Sequence, residues 1–79
     1  MTPLSKLHDI MALCVTFDGT PGKLEPIARQ IDILGSMIDR DSLCYEELVK
    51  ARNIILDPDK IEEVLEYLAN AESYLIYGE

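Results

Sequence analysis

The residue types that most often carry out catalysis or hold metal ions are few in this chain, which has one histidine, His8, and two cysteines, Cys14 and Cys44. The cysteines lie thirty residues apart without a CxxC pair, so a four-ligand zinc site would also need carboxylates. Asp9 follows His8 directly, but neighbouring side chains on a helix point apart, so the pair does not form part of a serine triad. We therefore expect no catalytic residue, no metal site and no cofactor, and we predict that the protein is not an enzyme.

Both cysteines lie on apolar faces of predicted helices, where a reduced cysteine packs as a small hydrophobic side chain. A disulfide between Cys14 and Cys44, or a reactive thiol, is the alternative. His8 lies at the margin of the apolar face of the first predicted helix, one turn after Leu4 and one turn before Met11. This position favours a structural or solvated histidine over a catalytic one.

The acidic balance of the sequence limits its partners. Seven Lys and Arg residues stand against fifteen Asp and Glu residues, a net charge of −8 at pH 7 over 79 residues. A negative chain repels phosphate backbones and anionic lipid head groups, so we expect no direct nucleic-acid binding and no membrane binding. The longest apolar run, residues 10–15, is far shorter than the ~20 residues that span a bilayer. We expect a cytoplasmic protein with one helical domain over residues 1–79, because a chain this short has interior for one core only.

The first half of the chain predicts two helices from apolar residues at alternating spacings of three and four. Thr2-Pro3 supplies a cap and a proline at the first helical position, and the Gly- and Pro-rich turn at residues 18–22 ends this helix. The second helix is expected to start near Leu24 or Glu25. The apolar stripes of these helices are Leu4, Leu7, Met11 and Cys14, and then Leu24, Ile27, Ile31, Leu34 and Ile38.

The second half predicts two more helices. Asp41 or Ser42 can cap the third helix, and Asp57-Pro58 repeats the signal of a cap followed by proline before the fourth, which runs to Tyr74 or beyond. Their apolar sides consist of Leu43, Cys44, Leu48, Ala51 and Ile55, and of Ile61, Val64, Leu65, Leu68, Ala71 and Leu75.

Short connections, of about five, three and two residues, make consecutive helices neighbours. The sequence therefore predicts an all-α fold, a small antiparallel four-helix bundle. The alternative is an α+β fold in which residues 12–17 and 73–77, where β-branched and aromatic residues gather, pair as strands.

Acidic residues concentrate in the second half of the chain. We predict that the outward side of the fourth helix carries a partner-binding surface made of Asp59, Glu62, Glu63, Glu66, Tyr67 and Tyr74. Tyrosine is common in interfaces, but the two tyrosines can also border the core. The alternative for the acids is a solvated face whose carboxylates favour the start of a helix.

Apolar residues exceed what one stripe per helix needs. Ile10, Leu13 and Phe17 form a second line on the first helix, and Ile33 and Met37 broaden the second helix. Either these helices have a wide buried face, or a second copy covers part of this surface. The second possibility predicts a homodimer through Ile10, Leu13 and Phe17.

A short segment has a family resemblance. Asp41-Ser42-Leu43, followed by Glu47-Leu48-Val49, resembles the attachment segment of acyl and peptidyl carrier proteins, which are small, acidic four-helix domains. The resemblance implies that Ser42 would carry phosphopantetheine. Asp39-Arg40 stands where the family has Leu-Gly, so we treat the carrier domain only as an alternative.

Together these features favour a non-catalytic, small acidic module that binds a basic protein partner, as a regulator, an inhibitor or a neutralising protein. Besides the carrier domain, a second alternative is an inhibitor that imitates nucleic acid, which the excess of negative charge in the second half supports.

Overall fold

A computed structural model of the protein describes residues 2–78. This part of the chain contains four α-helices and no strand, which confirms the predicted all-α four-helix fold. Residues 12–15 belong to the first helix and residues 73–77 to the last, so the α+β alternative is wrong. The helices are α1 (Pro3–Val15), α2 (Leu24–Gly35), α3 (Leu43–Ile54) and α4 (Ile61–Tyr77), and single 3₁₀ turns at Pro21–Lys23 and Pro58–Lys60 precede α2 and α4.

Side-chain caps start two of the helices as the sequence predicts. The Ser5 N–H donates to Thr2 Oγ1 at 3.1 Å at the start of α1, and the Tyr45 N–H donates to Ser42 Oγ at 3.1 Å at the start of α3. Each bond satisfies an amide that the helix leaves without a partner. Asp57 also caps, but it caps the 3₁₀ turn before α4 and not the α-helix itself.

All four helices contribute to one buried core, and the predicted stripes supply most of it. The core residues are Leu7, Ile10, Cys14, Leu24, Ile27, Ala28, Ile31, Leu34, Cys44, Leu48, Ala51, Ile55, Val64, Leu68 and Ala71. Leu43 departs from the prediction, because it is 42% exposed. In the bundle, α1 packs against α2 and α4, and α3 packs against the same two helices.

The connection between α2 and α3 is longer than predicted, as is the one between α3 and α4, which spans residues 55–60 and not about two residues. The apolar stripe predicts that α2 continues to Ile38, but the helix ends at Gly35, and the connection spans residues 36–42, more than the three residues expected. Glycine at this position weakens the last turn. The Ser36 hydroxyl donates to the Ile33 carbonyl at 2.6 Å, and Ile38 still packs against the core from outside the helix.

Polar side-chain contacts also link α1 to both of its neighbours in the bundle. Lys6 of α1 donates to Gln30 of α2, and His8 of α1 pairs with Glu72 of α4.

Over residues 2–78, no helix has both the length and the apolar composition needed to cross a membrane.

Candidate functional site

Four carboxylates lie on the outward side of α4 and of the 3₁₀ turn that precedes it. All four are exposed, and we call them the acidic face: Asp59, Glu62, Glu63 and Glu66. The buried residues of α4, Val64, Leu68 and Ala71, lie on the opposite side of the helix. Within residues 2–78, no member of the acidic face forms a salt bridge, whereas acids elsewhere pair with Lys23, Arg52 and His8.

The local structure places these carboxylates at one end of the molecule's longest helix. Glu62 and Glu63 occupy the first turn of α4, where the helix dipole favours negative charge. Asp59 precedes them in the 3₁₀ turn, which the Asp57 carboxylate holds by accepting the Asp59 N–H at 3.0 Å. From Asp59 to Glu66, the helical rise of about 1.5 Å per residue extends the acidic face over ~10 Å.

Tyr67 borders the acidic face, Tyr74 lies two turns beyond Glu66 on α4, and both contribute to the protein interior. Both are half-buried and pack against the core. The Lys50 Nζ atom lies 5.9 Å from the centre of the Tyr67 ring, a separation at which the ammonium is attracted to the ring face. The tyrosines therefore offer a partner only part of their surface.

The predicted self-association line divides between the core and the surface. Ile10 is fully buried within the chain, so it is a core residue and offers no surface to a second copy. Phe17 is half-buried and packs against the core, while Leu13 is 44% exposed. The sequence left a wide buried face as one of two possibilities. Such a face accounts for Ile10 on α1 and for most of Phe17, which lies just beyond the end of α1.

The remaining side chains of reactive types are held in a helix cap or buried in the core. The Ser42 hydroxyl accepts from Tyr45 and donates to the Asp39 carbonyl at 2.6 Å. Within residues 2–78, neither Cys14 nor Cys44 forms a disulfide, and both are buried; burial raises the pKa of Cys14 to about 11, which favours the unreactive thiol. In the described range 2–78, no three His, Cys, Asp or Glu residues are grouped to hold a metal ion.

A second surface, which the sequence analysis missed, lies between α2 and α3. A hollow of about 190 Å³ opens there, and we call it and its continuations at either end the arginine groove. The hollow is lined by residues that include Ile31, Gly35, Arg40, Tyr45, Val49 and Arg52. Its continuations are two further hollows that share lining residues with it. One includes Arg29 and Leu56, and the other includes Lys50. No spacing within a single helix signals it, because its walls come from α2, α3 and their connection.

Comparison with known proteins identifies no relative: no protein-family model, no curated protein and no solved structure matches the chain.

Proposed function

We propose that the protein is a non-catalytic binding module whose acidic face binds a basic surface on a partner protein, and that it acts as a regulator, an inhibitor or a neutralising protein. One observation carries this proposal: four exposed carboxylates lie together on one side of α4 and of the 3₁₀ turn before it, and none has a salt-bridge partner within residues 2–78.

The arrangement costs the isolated helix some stability. Glu62 and Glu66 are four residues apart, and Glu63 and Glu66 are three apart, so like charges face each other along the helix. Each such pair destabilises a helix by about 0.2 to 0.5 kcal/mol. A basic partner would remove this repulsion, so binding would gain from the same charges that the free protein tolerates.

Charges at the rim of an interface act mainly on the rate of association. Their field extends over a Debye length of about 8 Å at physiological salt, so a partner is steered before any contact forms. Tyr67 adds a partly exposed ring beside the acids, and Tyr74 adds another two turns further along α4. These rings supply short-range contact area once the partner has arrived. The acidic face thus combines attraction at a distance with a small apolar border.

A zero-length crosslinking experiment tests this function. The tagged protein is mixed with extract of the cells that produce it and treated with a carbodiimide, which joins a carboxylate to a lysine amine in direct contact. We expect isopeptide bonds between Glu62, Glu63 or Glu66 and lysines of one partner protein, mapped by peptide mass spectrometry.

The control separates the position of the charge from its amount. The variant E62K/E66K should lose the crosslinked partner, whereas D9K/D41K, which changes net charge equally at two exposed sites, should retain it. Crosslinks that map to other carboxylates, or equal loss in both variants, would contradict the proposal. Competition by duplex DNA then shows whether the partner's surface is one that binds nucleic acid.

A further inference from the structure

The arginine groove carries a charge opposite to that of the rest of the molecule. Four of the chain's seven basic residues line it, including all three arginines: Arg29, Arg40, Lys50 and Arg52. Of the acidic residues that the structure describes, three do so: Glu25, Asp32 and Glu46. The lining is therefore net positive by one charge, although the whole chain carries −8.

Two of the arginines are available for a ligand. Arg52 of α3 already has a partner on α2, because its Nε donates to the Asp32 carboxylate at 3.0 Å. Arg29 and Arg40 are exposed, and neither forms a salt bridge within residues 2–78. A guanidinium group binds a carboxylate through two parallel hydrogen bonds, so these side chains suit an acidic ligand.

The hollow has an apolar floor and a polar rim that includes Asp32, Ser36 and Asn53. Ile31 and Leu48, each 2% exposed, form its floor, and Val49 and Tyr45 stand beside it. Gly35 contributes no side chain to the wall, and a Cβ atom added there would contact the Tyr45 ring at 3.4 Å. A cavity of about 150 Å³ holds a benzene molecule, so the hollow has room for one branched aliphatic or aromatic side chain.

We infer that the arginine groove binds an acidic peptide segment of a partner protein, with one apolar side chain in the hollow and flanking carboxylates on Arg29 and Arg40. The groove follows α3 and its end from Tyr45 to Leu56, about 16 Å at the rise of a helix. An extended chain covers that distance in about five residues.

A second copy of this chain fits the groove less well. The acidic face of a second copy offers four carboxylates without an apolar side chain among them, so the hollow would stay unfilled. Two copies also repel each other, since each carries a charge of −8. The proposal is independent of the one for the acidic face, because the two surfaces share no residue.

A titration followed by nuclear magnetic resonance tests the inference. The probe is the capped peptide Asp-Glu-Leu-Glu-Asp, added to the uniformly ¹⁵N-labelled full-length protein, with a Ser-for-Leu peptide and a Lys-for-acid peptide as controls. We expect saturable amide shifts at Gly35, Tyr45 and Val49. The Ser-for-Leu peptide should bind at least about tenfold more weakly, and the Lys-for-acid peptide should leave these amides unchanged.

Charge reversals in the protein supply the second arm. R40E should weaken binding of the acidic peptide about tenfold, whereas K60E, a reversal at an exposed lysine outside the groove, should change it little. If R40E fails to fold by circular dichroism, R29E serves in its place. Shifts outside the groove, equal binding of the Ser-for-Leu peptide, or equal loss in K60E would overturn the inference. Shifts of the same amides on raising the protein concentration alone would identify a second copy as the occupant and would also overturn it.

Discussion

The acidic face and the arginine groove differ in shape as well as in charge. The acidic face is a convex side of one helix, and its carboxylates project into water with apolar area only at the tyrosine border. The groove is a concave seam between two helices, with buried Ile31 and Leu48 beneath its charged rim. A convex charged surface attracts over a distance but holds weakly, whereas a concave surface with an apolar floor can hold a specific side chain. The two proposals therefore assign ligands of opposite charge to the two surfaces, a basic protein surface to the acidic face and an acidic segment to the groove.

Ile31 is the residue whose substitution should have the largest effect, because it contributes both to the groove floor and to the core that supports α4. Ile31→Asp places an unpaired carboxylate at a position that is 2% exposed, at a cost of several kcal/mol in a domain of marginal stability. We expect loss of the helical signal in far-ultraviolet circular dichroism. Ile33→Asp, two residues away and 44% exposed, should retain the helical signal. A folded Ile31→Asp protein would contradict the core described above.

Glu47 is an acid that belongs to neither surface, and its removal should stabilise the protein. It is 8% exposed, its Oε2 atom has no hydrogen-bond partner among residues 2–78, and Lys50 Nζ lies 3.6 Å from its Oε1 atom. Glu47→Leu should raise the free energy of unfolding by about 1 to 3 kcal/mol. In the wild type, folding removes water from a carboxylate oxygen and gives it no hydrogen bond in return, and leucine avoids this cost. Urea denaturation measures the change. Glu46→Leu, at the exposed neighbouring position, should leave stability nearly unchanged, and a loss of stability in Glu47→Leu would show that the carboxylate is needed.

Ser42 supports the end of α3 that carries Tyr45 and the rim of the groove. Ser42→Ala removes the acceptor for the Tyr45 N–H and should lower the free energy of unfolding by about 1 kcal/mol. Ser73→Ala, inside α4 and exposed, is the matched control and should change stability little. Equal effects of the two substitutions in thermal unfolding would mean that the Ser42 cap adds nothing to stability.

Asp18 should show the smallest effect, since it is an exposed acid with its own internal partner. The Lys23 side chain donates to its carboxylate at 2.8 Å, and this bond, with further donors from Thr20, lowers the pKa of Asp18. A lowered pKa in the folded state stabilises the protein above the unfolded value of about 3.9, and the contribution disappears as the pH falls through the folded value. Asp18→Asn should therefore lower the melting temperature slightly at pH 7 but not in strong acid. An equal change of the melting temperature at both pH values would contradict this account of the Asp18 carboxylate.

The sequence was sufficient to predict the features that depend on neighbouring residues along the chain. The caps at Thr2 and Ser42 follow from local hydrogen bonding, and the side of α4 that carries Glu62 and Glu66 follows from helical periodicity. Both are properties of one helix and its first turn.

Features that depend on how helices pack were not predicted. The second apolar line on α1 was compatible with burial or with self-association, and only the positions of the neighbouring helices place Ile10 in the core. The early end of α2 at Gly35 and the longer connection that follows could not be derived from the apolar stripe, which continues to Ile38. The groove depends on that same connection, so Arg29, Arg40 and Arg52 gave no joint signal in the sequence.

The association rate with the crosslinked partner, measured by stopped flow at low and high salt, tests the central claim about the acidic face most directly. We expect E62K/E66K to slow association at least about tenfold at low ionic strength and much less at high ionic strength, because salt screens the steering field. D9K/D41K should associate nearly as fast as the wild type under both conditions, and all three proteins should have similar melting temperatures. An unchanged association rate for E62K/E66K at low salt would contradict the account and leave the acidic face as a solvated surface.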